Sequence, residues 1–229
     1  MGIPSRCKYN SSKTTLTAET IKSNISNTVY QYGQTELGLF ADEFRYSPLI
    51  TQIDQTENSI ESSLTTVKLK RTFTPTLNVA SSYTLSFSNE IPSTSNTSQI
   101  LSNQFSHYDD DGILRTACEL QDANGVLQVY RTVGADRIIV ANNVGGITYS
   151  SGNVALTTFK PTAIADGSAN VTVTTALSSN DVKPLREQIL LIANNDITIE
   201  MCDTLGTGKD TTVSVTSTAT TSTSTSGSY

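Results

Sequence analysis

Val67-Lys68-Leu69-Lys70-Arg71-Thr72-Phe73-Thr74-Pro75 is where the chain changes its period. Val67, Leu69, Arg71 and Phe73 alternate with Lys68, Lys70 and Thr72, the two-residue rhythm of a half-buried strand, and Pro75 closes it. What precedes it reads as helix. Thr17 stands before Ile21, Ile25, Val29 and Tyr32, whose spacing predicts one stripe of an amphipathic helix that Gly33 ends. After a short link, Glu36–Phe40, the run Phe44-Arg45-Tyr46-Ser47-Pro48 predicts a second, longer helix, capped by Ser47 with Pro48 at its first position. Its apolar positions Leu49, Ile53, Ile60 and Leu64 share one face, while Asp54 and Glu61 fall towards solvent. Two helices joined by a short connection make a hairpin. Residues 1–16 read as polar and turn-rich.

Downstream, Tyr83, Leu85 and Phe87 repeat the strand alternation, Pro92 bounds it, and Ser93–Gln99 is too polar to be anything but loop. Asp109-Asp110-Asp111-Gly112, Asn124-Gly125 and Asn142-Asn143 then punctuate the runs 113–120, 126–133 and 137–141 with residues that tolerate positive φ in tight turns. Glu187–Ala193 and Ile197–Cys202, around Asn194-Asn195-Asp196, read as a last hairpin with Ile197, Ile199 and Met201 on one face. Of the final 19 residues, Thr211–Tyr229, 14 are Ser or Thr, too little apolar surface to offset the entropy of ordering them. The predicted class is α+β: an N-terminal helical hairpin, then a mainly antiparallel β meander or sandwich, then a Ser/Thr-rich tail that is disordered or held by a partner. The boundaries are a helical region at 1–65, a β-rich domain at 66–203 and the tail at 204–229. No repeat of fixed period points to a solenoid or propeller.

With 229 residues and 24.6 kDa the chain is long enough to bury a real core. Fifteen Lys and Arg against 21 Asp and Glu leave a net charge of −6, which excludes a protein held on nucleic acid by phosphate neutralisation. The longest apolar run, Ile189–Ala193, is far short of the ~20 residues that cross a bilayer, so no membrane partner is expected. Met1–Arg6 lacks the apolar stretch of a signal peptide, and Arg6 stands where myristoylation wants Ser or Thr; a soluble cytosolic product is expected. Cys7, Cys118 and Cys202 are odd in number and far apart, so buried thiols are expected rather than disulfides or a zinc site.

Catalytic chemistry has little to work with. His107 is the sole imidazole, so any triad would run through it, yet its neighbours Ser106, Tyr108 and Asp109 read as the polar approach to a hairpin. Asp109–Asp111 before Gly112 suggest a calcium loop, but the EF-hand pattern needs an oxygen ligand at His107 and a Glu at Cys118; a tight turn accounts for them better. Gly206-Thr207-Gly208-Lys209-Asp210 lacks the first Gly and the final Ser or Thr of a phosphate loop. Lys68, Lys70 and Arg71 beside Phe73 fit a solvated strand edge or a subunit contact better than a nucleic-acid platform. Asn10, Asn24, Asn96 and Asn170 begin glycosylation triplets of the kind expected by chance in a Ser/Thr-rich chain. No catalytic, metal-binding or cofactor-binding residue is assigned.

Three stretches, in order, resemble a known family. They are Phe44–Ile50 with Ile53-Asp54, then Val67–Pro75, then Gly146-Ile147-Thr148-Tyr149-Ser150-Ser151-Gly152-Asn153-Val154. Together they are similar to the C-terminal part of the large baseplate wedge protein of T-even-type contractile phage tails, a baseplate-J-like family, in its cyanobacterial-phage version, over roughly residues 17–203. The resemblance implies a structural, non-enzymatic subunit of the virion tail baseplate, assembled in the host cytoplasm. It implies a homodimer within a larger ring, partnered by copies of itself and by other wedge subunits that it links around the tail hub. Family members are longer, with an N-terminal region that binds other wedge proteins, so the resemblance implies a split or truncated form. The same β-rich, weakly charged composition also suits a tail-fibre or receptor-binding adhesin, the alternative reading.

Overall fold

The structure, a computed structural model, describes residues 1–40, 42–93, 97–184 and 188–205. The Ser/Thr-rich tail from Gly206 on, the Gly206–Asp210 loop, Asn96 and Glu187 lie outside the described residues. The architecture is α+β, with two helices near the N-terminus followed by mostly antiparallel sheets.

The first strand is one the sequence reading misses. Ile3–Tyr9 forms β1 with Ile3, Ser5 and Cys7 buried, in a stretch read as turn-rich because only two of those three inward positions are apolar. Helix α1, Ala18–Thr35, is capped by Thr17, whose hydroxyl accepts the Thr20 N–H at 3.2 Å, and it buries Ile21, Ile25, Val29 and Tyr32 as the spacing predicts. Gly33 does not end it. That glycine lies within the last turns, where a Cβ would sit 3.0 Å from the Ile192 Cβ, so its role is to let the residue-192 segment lie against the helix.

Helix α2 is Tyr46–Asp54, shorter than α1 rather than longer. Its N-cap position is Arg45, not Ser47, and no neighbouring side chain caps it. Instead the Tyr46 N–H donates to Asp181 Oδ1 at 2.8 Å, from a residue 135 positions away. The two helices do form an antiparallel hairpin: the Tyr32 hydroxyl donates to the Arg45 carbonyl at 2.9 Å, and the Thr28 and Thr56 hydroxyls meet at 3.1 Å. Leu49 and Ile53 are buried, but the stripe stops there. Ile60–Thr65 is strand β2, and Leu64 is 71% exposed. Glu57 turns the chain between them, its carboxylate accepting the Ser59 N–H at 2.7 Å and its carbonyl the Ile60 N–H at 3.1 Å.

The remaining strands are β3 Lys68–Phe73, β4 Ser81–Ser86, β5 Ile100–Ser102, β6 Phe105–Tyr108 and β7 Leu114–Ala123. After them come β8 Val126–Val133, β9 Asp136–Thr148, β10 Asn153–Phe159, β11 Pro161–Ile164, β12 Val171–Ala176 and β13 Ile197–Asp203. Among the described residues seven of the thirteen strands make one sheet, ordered β11-β6-β7-β8-β9-β10-β4 and curled into a half-barrel, in which β7, β8 and the start of β9 hold the runs read at 113–120, 126–133 and 137–141. A second sheet, β3-β12-β5, packs on it: Phe73 meets Tyr83 and Phe159 at 4.6 and 6.1 Å between ring centres, and Ser102 Oγ accepts the Leu120 N–H at 2.8 Å. A third, β13-β1-β2, carries the helices on one face, and all three sheets share one continuous apolar core.

Two further expectations are corrected. Asn124-Gly125 turns β7 into β8 as predicted, with φ of 50° and 87°, but Asn142-Asn143 is no turn. Both lie inside β9, where register slips opposite Leu127–Tyr130 bulge the strand, and the turn falls at Gly134-Ala135. The last hairpin is absent too. Residues 188–193 form no strand, Asn194–Asp196 is a 3-10 turn, and β13 pairs parallel with β1, Ile3 opposite Ile197 through Tyr9 opposite Asp203. Ile199 and Met201 do share the buried face, with Ile197 half-buried beside them.

Candidate functional site

His107 and Asp109, singled out for chemistry, are absorbed by structure. His107 lies on β6 facing the core, 7% exposed, stacked on Phe159 with Phe105 edge-on. Its Nδ1 is 2.6 Å from the Tyr108 carbonyl, its Nε2 has no partner among the described residues, and burial pushes its pKa below the usual value. Asp109 makes the tight turn. Its Oδ1 accepts the Asp111 and Ile113 N–H groups at 3.1 and 2.8 Å, and its Oδ2 accepts Arg115 Nε at 2.7 Å, bonds that hold its carboxyl below the ordinary range. Among the described residues no group of three or more His, Cys, Asp or Glu is placed to hold a metal ion. Cys7, Cys118 and Cys202 are buried and unbridged, and burial pushes the Cys7 thiol up to about 12.

The Lys68–Phe73 strand is an edge, as its lysines suggest, but two of its cations, Lys70 and Arg71, engage other segments of the chain. The Lys70 ammonium pairs with Asp196, and Arg71 Nε donates to the Ser86 carbonyl at 2.9 Å while its guanidinium also reaches Gln188. They clamp the segment before β13 onto the sheets.

A buried carboxylate organises the other end of the half-barrel. Asp122, 6% exposed, accepts the Ser98 hydroxyl and the Gln99 and Ile100 N–H groups on Oδ1 at 2.7, 2.6 and 2.7 Å, and the Tyr149 hydroxyl on Oδ2 at 2.8 Å. Tyr149 in turn accepts the Gly125 N–H at 3.0 Å, so the Gly146–Val154 motif, the β7–β8 turn and the strand β5 are tied at one point. Every oxygen there has a partner, so the cluster is a brace.

What remains for function is surface. Leu39, Leu64 and Phe40, at 73%, 71% and 66%, are the most exposed large apolar side chains among the described residues. Leu39 and Phe40 stand on the α1–α2 link between Leu37 and Phe44, both buried, and Asp42 Oδ2 accepts the Leu39 N–H at 2.9 Å. Leu64 lies on the face of the β13-β1-β2 sheet opposite the helices, in register with Arg6. Spacing alone sets Leu64 on one helical face with Leu49 and Ile53, a stripe that reads as core or as a dimer seam, and Glu36–Phe40 reads as a link; only the two consecutive apolar residues beside Gly38 point otherwise. At the opposite end of β7, the tips at Asp109–Gly112 and Gly134-Ala135 flank a cleft of about 360 Å³ lined by Asp109–Asp111, Arg115, Arg131 and Ile138–Val140. No helix of the described residues is long and apolar enough to cross a membrane.

Among the described residues the three most exposed large apolar side chains thus sit on a loop and on an open sheet face, the kind of surface that contacts with other chains bury. Residues 2–72, which hold α1, α2, β1, β2 and most of β3, match the family model of baseplate structural protein gp6, C-terminal domain III. That match supports a structural subunit of a phage baseplate, in the virion tail, assembling with other baseplate proteins; it lends no support to the adhesin alternative. No curated protein matches the chain.

Proposed function

We propose that the chain is a wedge subunit of a contractile-tail baseplate, which joins neighbouring wedges into a ring around the hub through contacts with copies of itself and with other wedge proteins. One observation carries the reading. The stretch that matches the gp6 domain is also the stretch with the three most exposed large apolar side chains, Leu39, Phe40 and Leu64. Side chains of that size held out on a braced loop and a strand are what a protein contact buries. The mechanism is mechanical: contacts hold one arrangement before the tail contracts and another after it, with no bond of a substrate made or broken.

Light scattering on the size-exclusion eluate tests this directly. The chain elutes as a dimer or larger species at high concentration, and a variant carrying both Leu39→Ser and Phe40→Ser shifts towards monomer with its melting temperature unchanged. A strict monomer at every concentration that is also absent from purified tail particles would overturn the proposal.

A further inference from the structure

Asn124-Gly125 is the one Asn-Gly pair in the sequence. In such a pair the asparagine amide is readily lost, because the glycine leaves its backbone nitrogen unshielded by a side chain. The pair forms the tip between β7 and β8, with Ala123 opposite Val126 and positive φ at both residues, the two-residue turn that hairpins favour. Asn124 is exposed, and its side chain makes no hydrogen bond among the described residues. In a free turn of this kind the N–H of the second residue points into water. Here it is held. The Gly125 N–H donates to the Tyr149 hydroxyl oxygen at 3.0 Å, and the Gly125 carbonyl accepts the Ile147 N–H at 2.9 Å. Tyr149 gives its own proton to Asp122 Oδ2 at 2.8 Å, so the oxygen that faces Gly125 can only accept. Burial and that carboxylate push the Tyr149 hydroxyl above its ordinary pKa, so it keeps its proton in the mildly alkaline solutions that speed attack by an amide nitrogen.

We propose that Asn124 is a spontaneous deamidation site, held in check by the Asp122–Tyr149 pair through the Gly125 N–H. The reaction needs the Gly125 nitrogen to lose its proton to solvent and to turn onto Asn124 Cγ. A bond forms between them, the side-chain nitrogen takes up a proton and leaves as ammonia, and a cyclic imide remains. Water then opens the imide at either carbonyl, to aspartate or to isoaspartate. One amide is exchanged for one carboxylate, and no electron is transferred. While Tyr149 holds the N–H, that nitrogen keeps its proton and its orientation, so attack waits for a local opening of the brace. The change is one-way. Isoaspartate adds a backbone carbon to a two-residue turn, and Ala123 can no longer stay opposite Val126. The products thus record that this end of the half-barrel has opened. The inference goes beyond the baseplate reading and holds whatever the chain assembles with.

Two measurements on the full chain, nitrogen-15 labelled, test it. Amide exchange comes first because it needs no variant. The Gly125 N–H is expected to exchange at least about tenfold more slowly than in the acetylated, amidated peptide Leu120–Gln128, as a bond to the Tyr149 hydroxyl requires. Exchange as fast as in the peptide overturns the proposal. For the second measurement, chain and peptide are kept in mildly alkaline buffer and digested in acid. Mass spectrometry then resolves the forms with amide, aspartate or isoaspartate at position 124. Asn124 should persist at least about tenfold longer in the chain than in the peptide, and Tyr149→Phe, which keeps the ring without the hydroxyl, should shorten its lifetime about fivefold. Equal lifetimes in chain and peptide, or in Tyr149→Phe and its parent, rule the check out. The Cys7 and Val173 amides, on the central strands β1 and β12, report general unfolding. Were they to exchange faster in Tyr149→Phe by the same factor, the brace would have no specific part and the proposal would fail.

Discussion

Two buried ionisable groups show how differently burial acts on single residues. Asp122 is surrounded by donors, so its charge is solvated by protein, whereas His107 has one ring nitrogen occupied and the other facing apolar surroundings. Asp122→Ala therefore strands the Gln99 and Ile100 N–H groups and the Tyr149 hydroxyl, and we expect a loss of roughly 3 kcal/mol in urea unfolding. For His107 the sign follows from linkage. Its folded pKa lies below the unfolded value, so the unfolded chain binds the proton more readily. The stability it contributes is complete above about pH 6.5 and is lost as pH falls from there through the folded pKa. His107→Phe keeps the ring packing and removes the titration. Its melting temperature should fall less than that of the unaltered chain between pH 7.5 and pH 5, and parallel curves would refute the assignment.

Among the elements, the face of α2 is the one where pattern and packing part. Leu49, Ile53, Ile60 and Leu64 make one stripe at helical spacing, yet the chain leaves the helix after Asp54 and runs on as β2. Ser62, Ser63, Thr65 and Thr66 favour extended backbone over helix, and β1 offers them a ladder. The difference is measurable by alanine substitution. Leu49→Ala opens a cavity at a fully buried site and should cost about 3 kcal/mol, while Leu64→Ala should stay within about 0.5 kcal/mol of the parent. Equal losses would mean that Leu64 is covered within the same chain. Loss of dimer without loss of stability in Leu64→Ala would place it at a contact between chains.

At the scale of the whole molecule, the two ends of the described chain meet in one sheet. β13 lies parallel to β1 over seven residue pairs and packs under α1, so the helices that match the baseplate family depend on residues more than 120 positions beyond the match. A fragment ending at residue 66 lacks that strand and leaves the β1 edge and the α1 stripe uncovered. We expect it to show the circular dichroism of an unfolded chain, whereas the complete chain melts in a single transition; a folded fragment would contradict the shared core.

Sequence alone determined what neighbours in the chain decide. The α1 stripe and its Thr17 cap, the alternation from Val67 to Phe73, the Asn124-Gly125 turn and the tight turn at Asp109 rest on contacts within a few residues, so spacing and turn chemistry reveal them. The first two stretches of the resemblance, Phe44–Asp54 and Val67–Pro75, pointed to the baseplate by the same local route, and the family match reaches them, whereas Gly146–Val154 lies beyond it. Only the tertiary structure decided the rest. β1 is visible only beside β13, the cap of α2 comes from Asp181, and Asn142-Asn143 becomes a bulge because β8 dictates its register. The candidate surfaces belong there too. Whether Lys70 is solvated or clamped and whether Leu64 is core or surface depend on which distant segment arrives beside them. Charge and hydrophobicity are properties of a residue, but burial and pairing are properties of its neighbours in space.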